Sequence, residues 1–461
     1  MKNIKEVMAS DMCYGCGACV KGGNTVMQEN EKGFFVPQEV DKSKFKEFCG
    51  MSDSSMTEDK IVDLKKEKWD SLQECKAIGF YKNIYLGYGL DYKERFGSSG
   101  GGILTELLVE LLGNHTIDYV VHVGPTNSSF GYKISKTESD IRGNKKSHYY
   151  PCPMNEVLEE IRNQKGKFVF VGIPCIVSTF NRIIQKDESL RANCKYTFGI
   201  VCGHLKSTLF ADYIINRTKK NTSKKVDRVI YRESDSLARA NEYRMGVLYE
   251  DGSKDTKPVM NIPGTNWGES YFKMNSCDYC DDIYNETADI VFGDAWLKDY
   301  IKSGDGANII VVRDGYLDNV LVNMMEAGKI FLTDGDESDA LKAQDATIRH
   351  RTDGLSYRLY KRKSKNLWSP KKRVAPDNNW DYHQKRIWDM REEMTLKSAL
   401  YYNASSSMFL FDMKMWKLRR EYFNLYKPKK YKYIPVELYR LLQHVKSALL
   451  KVWKGMNKSK H

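Results

Sequence analysis

Short apolar runs separated by polar spacers mark the middle of the chain. IYLGYGL (84–90), IDYVVHVG (117–124), KFVFVGIPC (167–175), YTFGIVCGH (196–204), ADIVFGDAW (288–296) and ANIIVVRD (307–314) have the length and β-branched character of strands. Between them lie segments of helical period. In GSSGGGILTELLVELLG (97–113) the apolar positions Ile103, Leu104, Leu107, Leu108 and Leu111 follow a run of Gly and Ser, which predicts a loop entering a helix. NEVLEEIRN (155–163) predicts another helix. This alternation predicts an α/β body with a mixed sheet. A small cysteine-led module (1–60) precedes it, followed by a charged connector over roughly 59–70. After about Gly354 the chain turns basic, aromatic-rich and helical in pattern, and residues 331–461 are expected to be peripheral.

Composition narrows the class. The 461 residues are 41% hydrophobic and 29% charged, as in globular proteins. No apolar run is long enough to span a bilayer, and MKNIKEVMAS carries no apolar core of a secretory leader. A cytoplasmic protein is therefore expected. The net charge of +13 is local: from Lys414 onward, fourteen Lys and Arg face two Glu, which leaves +1 for the rest. That placement argues against a nucleic-acid groove, and no specific nucleic-acid partner is expected. In the tail, Leu438, Leu441, Leu442, Val445, Leu449 and Val452 form a helical stripe beside Lys446, Lys451 and Lys454. It can be a helix docked on the body with solvated lysines, or a peripheral contact with an anionic membrane surface at its inner face.

Eleven cysteines change the picture most. In a reducing compartment, spaced cysteines point to metal or redox chemistry. Cys75, Cys152 and Cys194 stand alone and are expected to be buried small hydrophobes. Cys13, Cys16 and Cys19 form C-x-x-C-x-x-C, a spacing that wraps one face of an iron–sulfur cubane, with small residues letting the loop close. Gly23 stands where the ferredoxin run has its fourth cysteine, so Cys49 is the expected fourth ligand; a relic or a zinc site is the alternative. In the body, Cys175 and Cys202 are predicted to end strands, and Cys277 and Cys280 form CDYC. Strand ends gather at one edge of an α/β sheet. Four thiolates there suffice for one closed site, and spacing alone leaves zinc and iron–sulfur comparable.

The ordered set SSGGGILTELL, YYPCP, GIPC, VCGH, CDYCDDIYNETADIVFGDAW and GANIIVVR resembles the family of coenzyme F420 hydrogenase/dehydrogenase beta subunits. The likeness runs from about Ile78 to Arg313, and an arm with Gly33, Phe34 and Pro37 extends it to the N-terminus. It implies a mixed-sheet core holding FAD and a 4Fe-4S cluster on Cys175, Cys202, Cys277 and Cys280. The core divides into 76–160 and 161–330, with a ferredoxin-like arm carrying at most one further 4Fe-4S cluster. Ser98, Ser99, Gly100, Gly101, Gly102 and Thr105 fall where members hold the flavin, and consecutive glycines before a helix suit a phosphate. The order is not G-x-G-x-x-G, so no dinucleotide site of the Rossmann type is indicated. His204, Ser207, Asp294 and Asn308 are further candidates near the flavin, each also explicable as a local structural group.

The expected function is an oxidoreductase moving electrons between FAD, iron–sulfur clusters and an external carrier, either ferredoxin or the deazaflavin coenzyme F420, with a small-molecule substrate. Relatives with so short an arm resemble those among surface-polysaccharide genes, which implies a sugar-linked reductive step. The rival readings are a non-catalytic electron-transfer subunit and a zinc-stabilised binding module.

Overall fold

The computed structural model describes residues 2–22, 26–127, 129–427 and 438. The stripe expected over 438–452 lies, apart from Leu438, outside the described residues.

An eight-stranded sheet organises the body. Its strands are β1 (Asn83–Gly89), β2 (Tyr119–Pro125), β3 (Phe130–Ser135), β4 (Phe168–Gly172), β5 (Cys194–Ile200), β6 (Ile290–Asp294), β7 (Asn308–Val312) and β8 (Ile330–Gly335). Their order is β8-β1-β7-β6-β5-β4-β2-β3. The central four, β6-β5-β4-β2, are parallel, and the flanking strands pair antiparallel. The mixed sheet expected from the sequence is present. The central strands read as unbroken apolar runs because both faces are covered. In β4, Phe168 and Phe170 enter one core while Val169 and Val171 enter another.

Helices needed below are α1 (Ile103–Gly113), α2 (Asn155–Arg162), α3 (Pro174–Ile184), α4 (Thr208–Thr218), α5 (Gly315–Glu326), α6 (Glu337–Arg351), α7 (Asp353–Ser364), α8 (Tyr382–Asn403) and α9 (Met408–Leu425). Helices α1 and α5 bury Leu107, Leu111, Leu317 and Leu321 against Val169, Phe292 and Ile310 on one face. The opposite face carries α3 and the N-terminal arm, whose Met12, Tyr14, Phe34 and Phe45 join Phe168 and Phe180.

Three expectations are corrected. The charged connector contains a helix, Glu58–Lys66, which Thr57 caps and which the Lys65–Asp289 ion pair pins to the body. Cys175 does not end a strand: β4 stops at Gly172, and Pro174, with φ already set for a helix, opens α3. The region after residue 331 is not peripheral, at least as far as Leu425. Arg351 and Arg358 are among the largest fully buried side chains, and Met390, Met394, Phe411 and Met415 complete an aromatic core around Tyr213, Tyr271 and Phe272. Basic composition concealed this because the buried apolar positions of α8 and α9 are interleaved with Lys and Arg.

Candidate functional site

The glycine loop ends where three chain segments meet. Gly101 and Gly102 have φ of +87° and +85°, the left-handed region that favours glycine. A Cβ on Gly100 would lie 2.4 Å from Asp294 Oδ1, and one on Gly101 would lie 2.9 Å from Ala307 Cα. The loop therefore passes the β6–β7 turn at backbone distance. The first turn of α1 is capped from β7: Ile103 N donates to Asn308 Oδ1 (3.1 Å), and Asn308 Nδ2 donates to Gly293 O (3.3 Å). The serine hydroxyls serve the loop itself. Ser98 Oγ donates to Glu94 O (2.8 Å), and Ser99 Oγ accepts from Ser147 N (2.8 Å).

This loop forms one wall of a cavity of about 870 Å³ at the C-terminal ends of β4, β5 and β6, where open α/β sheets hold ligands. Ser98, Ser99, Gly100, Gly102, Thr105, His204, Asp294 and Asn308 line it. Gly101 shapes the wall without lining it. Ser207 is not brought there: it is fully buried ahead of α4, and its hydroxyl has no partner. Several groups that the sequence did not single out also face the cavity. Arg232 pairs with Asp294 (2.6 Å) and keeps a buried, unpartnered Nε. Trp267 meets His204 edge-on at 4.2 Å. His204 Nε2 and His148 Nε2 are buried without partners, and burial holds both imidazoles below their ordinary pKa, His148 at about 3.

The eight expected cysteines gather as two groups. Cys175, Cys202, Cys277 and Cys280 line a single void of about 50 Å³. Cys175 comes from the first turn of α3, Cys202 from just past β5, and the pair from a 3-10 turn over Asn275–Tyr279. Leu205 N donates to Cys277 Sγ at 3.3 Å. Burial raises all four thiol pKa values, that of Cys202 to about 12, while Arg351 works in the opposite direction. Arg351 is 1% exposed and donates to the carbonyls of Cys202 (3.2 Å) and Gly203 (2.6 Å). Its Nε and Nη1 have no partner. Lys372 lines the same void and pairs with Asp281 (3.2 Å). Beneath it, Asp278 accepts from Lys273 (2.6 Å) and stands 2.8 Å from His350 Nε2.

In the arm, Cys13, Cys16, Cys19 and Cys49 are close enough to raise one another's pKa values, and burial pushes Cys16 to about 12. The helix Lys42–Phe48 delivers Cys49 at its C-cap, and Asp41 N binds Cys19 O (2.8 Å). Positive φ at Gly15 and Gly17 folds the triplet back. Tyr14 joins the two groups: its hydroxyl accepts from Gly50 N (2.7 Å) and bonds Thr179 Oγ1 (2.7 Å), which bonds Cys175 O (2.8 Å). Tyr14 and Cys202 both line the void and the large cavity, so all three compartments are adjacent.

Among the described residues, no three His, Cys, Asp or Glu side chains have the geometry that one metal ion needs. The donor set fits a larger anionic group better. Four thiols surround a void, and a buried guanidinium presents two unsatisfied N–H groups beside them. Arg351 and Lys372 escaped the sequence reading because they sit in the basic C-terminal region, where no motif sets them apart.

The C-terminal region of the coenzyme F420 hydrogenase/dehydrogenase beta subunit matches residues 165–338, and its N-terminal region matches residues 84–159. An uncharacterized protein of Methanocaldococcus jannaschii is 25% identical over 241 residues, 52% of this chain and 82% of its own. A subunit of the F(420)H(2) dehydrogenase of Methanosarcina mazei is 21% identical over 334 residues, 68% of this chain and 85% of its own. A chain of the F420-reducing nickel–iron hydrogenase complex from Methanosarcina barkeri aligns with a TM-score of 0.49 and 17% identity, covering 67% of this chain and 100% of its own.

Proposed function

The chain belongs to the family of coenzyme F420 hydrogenase/dehydrogenase beta subunits, and on that footing we propose that it is an iron–sulfur flavoprotein oxidoreductase. It exchanges electrons between an external carrier, ferredoxin or coenzyme F420, and a small organic molecule. The observation that carries this reading is the set of four partly buried thiols around one void with Arg351, one of them, Cys202, also in the wall of the large cavity. Cys175, Cys202, Cys277 and Cys280 would hold one 4Fe-4S cluster, and Cys13, Cys16, Cys19 and Cys49 a second. The clusters would supply one-electron transfer and the flavin the conversion between one- and two-electron chemistry.

The chain's own residues have separate tasks. Arg351 would balance the charge of four thiolates holding a cluster, and Leu205 N steadies Cys277. The glycine loop lets backbone N–H groups and the start of α1 approach a phosphate of FAD. Asn308 keeps that helix terminus in register with β7. Trp267 and His204 close one side of the cavity against water. A sugar-linked substrate, acting in surface-polysaccharide synthesis, belongs to this proposal as the class of organic acceptor.

A second reading, an electron-relay subunit of a larger complex, is favoured by the name of the Methanosarcina mazei relative, which is a dehydrogenase subunit. Anaerobic purification with iron, sulfide and flavin analysis and EPR of the reduced protein tests both. About eight irons and one FAD per chain support the proposal. A colourless protein with zinc and no sulfide overturns it in favour of a zinc-stabilised module. A fully loaded chain inert toward every small acceptor supports the relay reading.

A further inference from the structure

The hairpin of α8 and α9 has two unlike sides. Inward, Phe411, Met415, Leu418 and Tyr422 of α9 are buried against the aromatic core. Outward, the same helix leaves Phe409 (69% exposed), Leu410, Met413 and Trp416 (51%) in solvent, and α8 adds Leu396 and Leu400. Six large apolar side chains within 21 positions of sequence exceed the scattered exposure normal for a protein surface.

Cations share that face. Lys414, Lys417 and Arg420 are exposed, and among the described residues none has a carboxylate within 4.0 Å. The Arg420 guanidinium lies 5.0 Å from the Trp416 ring, and Lys414 sits 6.0 Å from Tyr401. Residues 428–461 follow directly and carry nine Lys and Arg against one Glu. We propose that the outer face of α8 and α9 docks the protein on an anionic lipid surface. Aromatic and aliphatic side chains would enter the headgroup boundary while the flanking cations meet lipid phosphates.

Charge selects this occupant. The chain's own C-terminal segment would bring further lysines against Lys414, Lys417 and Arg420. A second copy meeting this face across a two-fold axis would do the same. An electron carrier docked here would face an inner core that contains none of the eight cysteines of the two groups. No described helix is long and apolar enough to cross a membrane.

The test uses the full, cofactor-loaded chain and two vesicle types, phosphatidylcholine alone and phosphatidylcholine with phosphatidylglycerol, in cosedimentation at about 0.1 M salt. The expected result is partitioning onto the anionic vesicles at least about tenfold stronger than onto the neutral ones, weakening as salt rises. The Phe409→Ser/Met413→Ser/Trp416→Ser variant should lose about tenfold in binding while keeping wild-type iron and flavin content. Should that variant misfold, Lys414→Gln/Lys417→Gln/Arg420→Gln should lose binding similarly. Equal partitioning onto both vesicle types, none onto either, or variants that bind like wild type would overturn the proposal. So would a wild-type dimer that these substitutions dissociate. Iron and flavin content reads the redox assignment separately, so the two readings can fail independently.

Discussion

Arg351 shows how much one side chain outside any recognisable motif can matter. Its buried charge lies beside four thiols, where electrostatic effects are strong. Arg351→Gln should therefore lower the midpoint potential of the cluster on Cys175, Cys202, Cys277 and Cys280 by about 60 mV or more, read by EPR-monitored redox titration. An unmoved signal would separate Arg351 from that cluster. Asp278 answers two cations, Lys273 and Arg358, and stands within hydrogen-bond distance of His350, whose imidazole burial keeps neutral. Asp278→Asn leaves the two cations uncompensated and should cost about 3–5 kcal/mol in denaturant unfolding. His122 gives a pH dependence. Burial lowers its pKa to about 4, against about 6.5 when unfolded, so the unfolded chain binds the extra proton between those values. Its contribution is intact above pH 6.5 and is lost on acidification, by about 2 kcal/mol at pH 5. His122→Gln should flatten that part of the urea-midpoint profile.

At the scale of elements, the loop and α1 were legible because Gly and Ser precede a clean helical period. The cap on α1 was not, since Asn308 lies 205 residues away on β7. Asn308→Ala should cost about 1–2 kcal/mol and reduce bound flavin, measured by thermal unfolding and absorbance. Gly101→Ala forces a left-handed φ and a 2.9 Å contact with Ala307, so it should damage flavin retention more than stability elsewhere in the sheet. Cys175 carries the same lesson. The sequence shows an apolar run and a cysteine, but Pro174 converts the final residues into the start of α3. The thiol then faces the void from a helix.

At the scale of the molecule, a truncation decides where the body ends. Removing 414–461 takes Met415, Leu418 and Tyr422 out of a core and should cost several kcal/mol, about 2–5 for each large apolar side chain lost. Alternating apolar segments were enough to specify a mixed α/β sheet, and cysteine spacing was enough to single out the Cys13–Cys16–Cys19 triplet and the Cys277–Cys280 pair. Those are local properties: strand and helix period, and ligands within one turn. Only the tertiary structure decided that the two cysteine groups are neighbours joined through Tyr14, and that Arg351 from α6 faces the second group. It also decided that α8 and α9 belong to the core on one side and to solvent on the other. These depend on contacts between residues more than a hundred positions apart, and no period or motif in a single chain records which distant surfaces will meet.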